Sequence, residues 1–441
     1  MKPIDLLRFK VAKWPYPVIT LMGAIAAFGT YTCMYAFRKG FSAATFEGIQ
    51  YLHLDYKVWL VISQLIGYTL SKFYGIKFIA ELKHSQRLKT IFGLIGFAWF
   101  ALLLFAIIPA PYNIICLFLN GFPLGMIWGL VFSYLEGRKT TEFMAAVLSV
   151  SLIFGSGFVK TRGRDLMTSF HISEFWMPFL TGALFAIPLI IFVFFLELMP
   201  EPTPEDIKLR TKRSPMNGDE RKRFLQRFLP GIILTLIIYI LLTVMRDIRD
   251  NFEVEIWRGL GNKDNSIFAK TDSIISIVVL ISMSLLILIK RNLKAFTVIH
   301  LMIIGGCFLI CVGTILFNLG IIDAKLWMTM AGLGLYLGYV PYNAIFFERM
   351  IATFHYKSNV GFIIYVSDSI GYLGSVAILL FKEFGNSTIS WVAFFKMGVM
   401  VVGVVGGICA ILSLIYFRQS ARGQNDEIQA DNSLNLNIAT A

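Results

Sequence analysis

In a chain of 441 residues, 57% hydrophobic content, 15% charged residues and a mean hydropathy of +0.70 leave too little polar surface to coat a soluble globule, so the class is an integral membrane protein. The apolar runs suit helices crossing ~30 Å of hydrocarbon, and none shows the alternating segments of ~10 residues that an outer-membrane barrel needs. A net charge of +13 in such a chain reports orientation rather than nucleic-acid binding, and its distribution along the loops tests that.

Twelve crossing helices are predicted in chain order, near residues 17–38, 57–78, 88–108, 112–135, 141–160, 174–197, 229–250, 267–289, 295–318, 326–348, 358–381 and 391–417. The first is long, follows four basic residues (Lys2, Arg8, Lys10, Lys13) and lacks a small-residue cleavage site, so it is expected to be retained rather than removed as a signal peptide. Stretches rich in glycine and proline, "NGFPLGMIWG" at Asn120 to Gly129 and "GLGLYLGYVPYN" at Gly332 to Asn343, permit close helix contact and bending, as membrane helices commonly do. With the N-terminus inside, 25 basic residues fall in loops on that side and 10 on the other, the latter including Lys57, Lys160 and Lys382. Both termini are therefore expected in the cytoplasm, in a cell (inner) membrane.

The segment "MPEPTPEDIKLRTKRSPMNGDERKRF", Met199 to Phe224, divides the chain almost in half. The expected organisation is a six-helix bundle over 1–198, a cytoplasmic linker over 199–226, a second six-helix bundle over 227–418 and a disordered polar tail over 419–441. This is an all-α membrane protein of about twelve helices in two pseudo-symmetric bundles, the layout of the major facilitator type of secondary transporter, in which two halves rock about a central site. The five cysteines lie inside apolar runs, and the histidines have no metal-ligand spacing. With no phosphate-binding loop or nucleophile elbow in sight, no metal, cofactor or catalytic residue is expected.

Five cations, Arg38, Lys39, Lys72, Arg246 and Arg249, and three acids, Asp247, Asp250 and Asp368, fall within or at the edges of the predicted helices. A charge near the bilayer centre costs roughly 2.5 to 3.5 kcal/mol on the lenient insertion scale, so each needs a partner or a water-filled cavity. For Lys39 and Lys72 the alternative is snorkelling to the headgroups. Arg246 and Arg249, spaced i, i+3 in "MRDIRD", form either a self-neutralising cluster with the interleaved aspartates or part of a site. Arg38 and Arg246 both lie late in the first helix of their halves, so a two-fold repeat would face them across the central cavity. Two guanidinium forks suit a small, doubly charged anion. Arg249 stands as a possible substitute for Arg246, Lys72 as a third cation, and Asp368 as an arginine's counter-ion or a proton-carrying carboxylate. The expected partners are a small anionic solute and membrane lipid; a monomer is expected. The rival readings are proton symport of a sugar or other non-phosphorylated solute through Asp368, and a lipid-modifying enzyme using "KTRGRD", Lys160 to Asp165, against lipid phosphate.

Several stretches resemble one branch of that superfamily, the organophosphate/inorganic-phosphate antiporters that include glycerol-3-phosphate and hexose-phosphate transporters. "YAFRKGFSAA" resembles that branch's first helix, "GYTLSKF" its second, "GFPLGMIW" its fourth, and "GLYLGYVPYNAIFFE" and "GFIIYVSDSIGYLGS" its tenth and eleventh. The resemblance implies that Arg38 is the phosphate-binding arginine of the first helix, Lys72 the lysine of the second and Arg246 the arginine of the seventh. It also implies rocker-switch exchange of a phosphorylated metabolite for phosphate. The branch's fifth-helix histidine falls at Ser151 to Leu152, where this chain has none, and Asp368 has no counterpart.

Overall fold

The computed structural model describes residues 3–82, 84–209, 218–354, 361–386 and 389–422. The middle of the linker and most of the tail predicted from sequence lie outside these residues. Twelve crossings follow in chain order. The first half supplies Tyr16–Lys39, Tyr56–Glu81, Arg87–Ile107, a fourth broken into Ile114–Leu124 and Ile127–Leu135, Thr141–Ser169 and Met177–Glu197. The second half supplies Gly218–Gly259, Ile267–Ile287, Asn292–Asn318, a tenth formed by Ala324–Pro341 and Phe347–Thr353, Gly361–Asn386 and a twelfth over Trp391–Arg422. Nine of these are long and apolar enough to cross a membrane by length and composition. The second and eleventh, which complete the twelve together with the tenth, are the ones that carry Lys72 and Asp368.

The interruptions have local causes. Pro123 inside the fourth crossing removes a backbone donor, and the helix breaks at Gly125 and Met126. Pro341 precedes a π-helical turn over Tyr342–Phe346 in the tenth. The seventh departs from helical geometry at Phe252 (φ −116°, ψ 20°), whose ring stacks on Trp391 at 3.6 Å. Between the first and second crossings, a hairpin pairs Gln50 with Asp55 and turns through Leu52 and His53. Both turn residues have positive φ, the geometry of a tight two-residue connection.

One apolar core is built entirely from residues between Val11 and Met199; the other draws mainly on the second half. Outward-facing Ile25, Phe100, Ile187, Ile281, Phe308 and Phe381 give the bundle a surface matched to lipid rather than water. Where helices touch most closely, glycine is required. A Cβ on Gly306 would sit 2.6 Å from the Gly334 carbonyl oxygen, and one on Gly334 would sit 2.5 Å from that of Gly306, so the ninth and tenth crossings meet backbone to backbone. Gly306→Leu is expected to destabilise the protein by about 1 to 3 kcal/mol through overpacking. Gly305→Leu, beside it but with nothing within 4 Å, is expected to leave thermal denaturation in detergent nearly unchanged.

Several boundaries differ from the sequence expectation, among them the seventh crossing's start at Gly218, inside the expected linker, and the eleventh's end at Asn386. The fifth crossing runs on to Ser169 and the seventh to Gly259. Lys160, Lys57 and Lys382, read from sequence as loop cations, sit in helices and are buried, Lys57 at the start of the second crossing and Lys382 near the end of the eleventh. Each has a carboxylate partner: Glu253 for Lys160, Glu255 for Lys57 and Glu383 for Lys382. A paired charge can stay in a helix beyond the point where hydropathy alone would end it.

Candidate functional site

Charged side chains converge where the far end of the first crossing meets the seventh. Both are the leading helices of their halves, and the fifth and eighth pack beside them. The last turn of the first crossing is fixed by two buried amides. Asn120 Nδ2 donates to the Phe37 carbonyl at 2.8 Å, and Gln64 Nε2 donates to the Arg38 carbonyl at 2.7 Å and to Asn120 Oδ1 at 2.8 Å. These bonds satisfy carbonyls near the end of the α-helix and set the direction in which Arg38 and Lys39 leave it.

Lys39 does not snorkel. It is 1% exposed, and its ammonium donates to Asp250 at 2.9 Å and to Asn251 at 2.7 Å in the opposite half. Asp250 also accepts from Lys160 at 3.3 Å and from Ser156. Lys160 reaches Glu253 at 2.7 Å, Glu253 meets Arg249 at 3.2 Å, and Arg249 pairs with Asp272 at 2.7 Å. Arg246 pairs with the adjacent Asp247 at 2.8 Å, lies over the Tyr339 ring at 4.2 Å, and Asp247 in turn accepts from Ser375 at 2.9 Å. Only the Arg246–Asp247 contact matches the self-neutralising reading of "MRDIRD". Arg249 and Asp250 look outward instead, to the eighth crossing and to the other half.

Nearer the side of the chain termini, Lys72 and Asp368 form an ion pair between the halves, and Tyr239 donates to the same carboxylate. The counter-ion of Asp368 is therefore a lysine, not an arginine. Tyr68 and Tyr372 meet edge to face at 5.4 Å, and the Lys72 ammonium lies 5.5 Å from each ring.

Arg38 differs from every other cation in the group. Like Arg246 it is 4% exposed, and like Arg246 and Arg249 its Nε has no hydrogen-bond partner, but among the described residues no carboxylate pairs with it. Its neighbours are aromatic faces, Tyr68 at 3.7 Å and Tyr35 at 5.8 Å from the ring centroids. The pairs Lys39–Asp250, Lys160–Glu253, Arg249–Asp272, Arg246–Asp247 and Lys72–Asp368 use all five carboxylates of the group, against six cations. Arg38 is left over. A stacked ring offsets part of the cost of a buried cation, about 0.5 to 2 kcal/mol, but gives its Nε–H nothing to donate to.

The sequence reading missed Lys160, Glu253 and Asp272. Lys160 and Glu253 carried a signal in their spacing, since Ser156 and Lys160 at i, i+4 and Asp250 and Glu253 at i, i+3 continue the helical faces past the predicted ends, whereas Asp272 carried none. Ser151, at the position of the histidine in the antiporter pattern, turns back on its own helix to the Leu148 carbonyl at 2.5 Å.

The halves are joined more heavily on the far side. Beyond the Lys39, Lys57 and Lys160 pairs, Arg258 reaches Glu47 at 3.4 Å, and Asn265 meets Thr161, Arg164 and Thr168. On the terminal side Arg349 bonds Glu142 at 2.9 Å.

The model of a family described as "Family of unknown function (DUF5690)" matches residues 40–420. No curated protein sequence matches the chain. Among solved structures, the fold is similar to a D-xylose-proton symporter, with a TM-score of 0.57 and 14% identity over 90% of this chain and 97% of that one. It is also similar to a POT family transporter in complex with 5-aminolevulinic acid (TM-score 0.56, 12% identity, 90% and 96% covered). A third is a POT family transporter in complex with a thioalcohol-conjugated peptide (0.57, 11%, 90% and 96%). At these identities the likeness is one of fold: a multi-pass helical membrane protein of the major facilitator type.

Proposed function

We propose, from the premise that the chain belongs to the family of unknown function DUF5690 and has the major facilitator architecture, that it is a secondary transporter moving a small organic anion by rocker-switch alternating access. The observation that carries this reading is Arg38, a buried guanidinium that pairs with no carboxylate among the described residues and stacks on Tyr68, whose ring meets Tyr372 of the other half. A bound anion would give that fork the partner the protein withholds. Arg246 supports the site from the second half. Lys72 and Asp368 balance each other's charge and would separate when the terminal side opens, leaving Asp368 available for a proton. Arg249, held by two carboxylates, has a structural role. The resemblance to phosphate antiporters makes a phosphorylated metabolite, exchanged for phosphate, one candidate solute. The reading includes a cell (inner) membrane, cytoplasmic termini, a monomer and no catalysis.

The test is uptake into proteoliposomes holding the purified chain, with labelled phosphate, a sugar phosphate, mono- and dicarboxylates and xylose, each with and without a proton gradient. Accumulation or exchange of at least one anion class is expected. Uptake of xylose alone, driven by protons, would replace this reading with sugar symport.

A further inference from the structure

The charge count around Arg38 narrows the solute beyond "anion". We infer that the site is built for a solute with a single negative charge on a carboxylate-sized head, and that doubly charged anions are disfavoured. The inference rests on the reading above, in which Arg38 holds the solute.

Every other buried cation of the group already has a carboxylate, and those carboxylates are themselves held. Asp247, the partner of Arg246, accepts from Ser375 at 2.9 Å, and Asp368, the partner of Lys72, accepts from Tyr239. Arg246 thus does not offer a second positive charge without first breaking a supported pair. The unpaired group is one planar fork, pinned through its own carbonyl by Gln64 and packed on Tyr68. One carboxylate satisfies such a fork bidentately and brings the buried group to neutrality. A second negative charge on the solute would enter a region of low dielectric where the remaining cations are already matched, so it would be desolvated without compensation. The wall beside the fork is aromatic, which suits a carboxylate on a compact apolar or aromatic body. This departs from the doubly charged anion expected when Arg38 and Arg246 are both counted as free.

The experiment is a thermal-shift series on the purified full chain at pH 7.5 and 5.5. Lactate and benzoate carry one charge, succinate, phthalate and phenyl phosphate carry two at the higher pH, and benzyl alcohol carries none. A monocarboxylate is expected to raise the melting temperature at both pH values, and phenyl phosphate only at pH 5.5, where protonation near its second pKa of about 6 leaves a growing fraction as the monoanion. Asp247→Asn, which frees the Arg246 guanidinium, is expected to shift the preference toward the dianions by roughly tenfold or more in apparent affinity. If dianions stabilise the wild type best at pH 7.5, the single-charge inference falls while the anion reading stands. If no anion shifts the wild type and benzyl alcohol does, both fall.

Discussion

Asp250→Asn is expected to cost roughly 3 to 5 kcal/mol of stability, the range for removing one partner of a buried ion pair. This single carboxylate, 3% exposed, receives Lys39 at 2.9 Å, Lys160 at 3.3 Å and Ser156, all from the opposite half. Lys160 would keep Glu253, but Lys39 would lose its carboxylate and be left with neutral amide oxygens. Thermal denaturation in detergent should show the loss as a lowered melting temperature. The double variant Lys39→Met with Asp250→Asn should recover much of it, because two apolar or neutral groups bury more cheaply than one stranded ammonium. If the two substitutions simply add, the lysine and aspartate are not coupled and the pair does not hold the halves together. Because the cluster bridges the halves on the far side, the single variant should also shift the population away from the conformer closed there.

Arg38→Gln is expected to abolish transport, by a hundredfold or more, while leaving the fold intact. The two effects separate because Arg38 makes no ion pair among the described residues. Removing an uncompensated buried charge relieves a desolvation cost rather than creating one, so the melting temperature of the ligand-free variant should stay level or rise. Loss of one charge-assisted bidentate contact to an anion, made where water is excluded, is worth several kcal/mol, and about 1.4 kcal/mol corresponds to each factor of ten. Arg38→Lys should fall between, since an ammonium restores charge without the planar fork. Counterflow in proteoliposomes, read beside melting curves of the same preparations, checks both halves of this expectation. Transport retained at more than a tenth of the wild-type rate in Arg38→Gln would remove Arg38 from the site.

Much of the fold was legible because a bilayer imposes a simple rule on sequence: an apolar run of about twenty residues is a crossing. Each of the twelve predicted segments overlaps a crossing in the structure, and the breaks at Pro123 and Pro341 fall in the two stretches singled out for glycine and proline. The same rule hid the ends. A hydropathy reading stops a helix at its first cluster of charges, so it stopped the fifth before Arg162 and the seventh at Asp250, and it counted Lys160 with a loop, as it did Lys57 at the start of the second. What keeps those charges helical and buried is pairing across the chain, Lys160 with Glu253 and Lys57 with Glu255, and partners so far apart in sequence leave no local trace. Asp272 was overlooked for the same reason: its role is visible only beside Arg249. The individual charges at 38, 72, 246, 249 and 368 were legible as anomalies. Which of them remained unpaired was not, since that depends on every neighbour at once.

The most direct measurement is a crystal structure of the full chain grown with 4-bromobenzoate, located by the anomalous signal of bromine. A bromine peak among Tyr35, Tyr68 and Tyr372, with the carboxylate on the Arg38 guanidinium and the Arg246–Asp247 pair intact, is the predicted result. A carboxylate bound elsewhere, with Arg38 still bare against the Tyr68 ring, would contradict it.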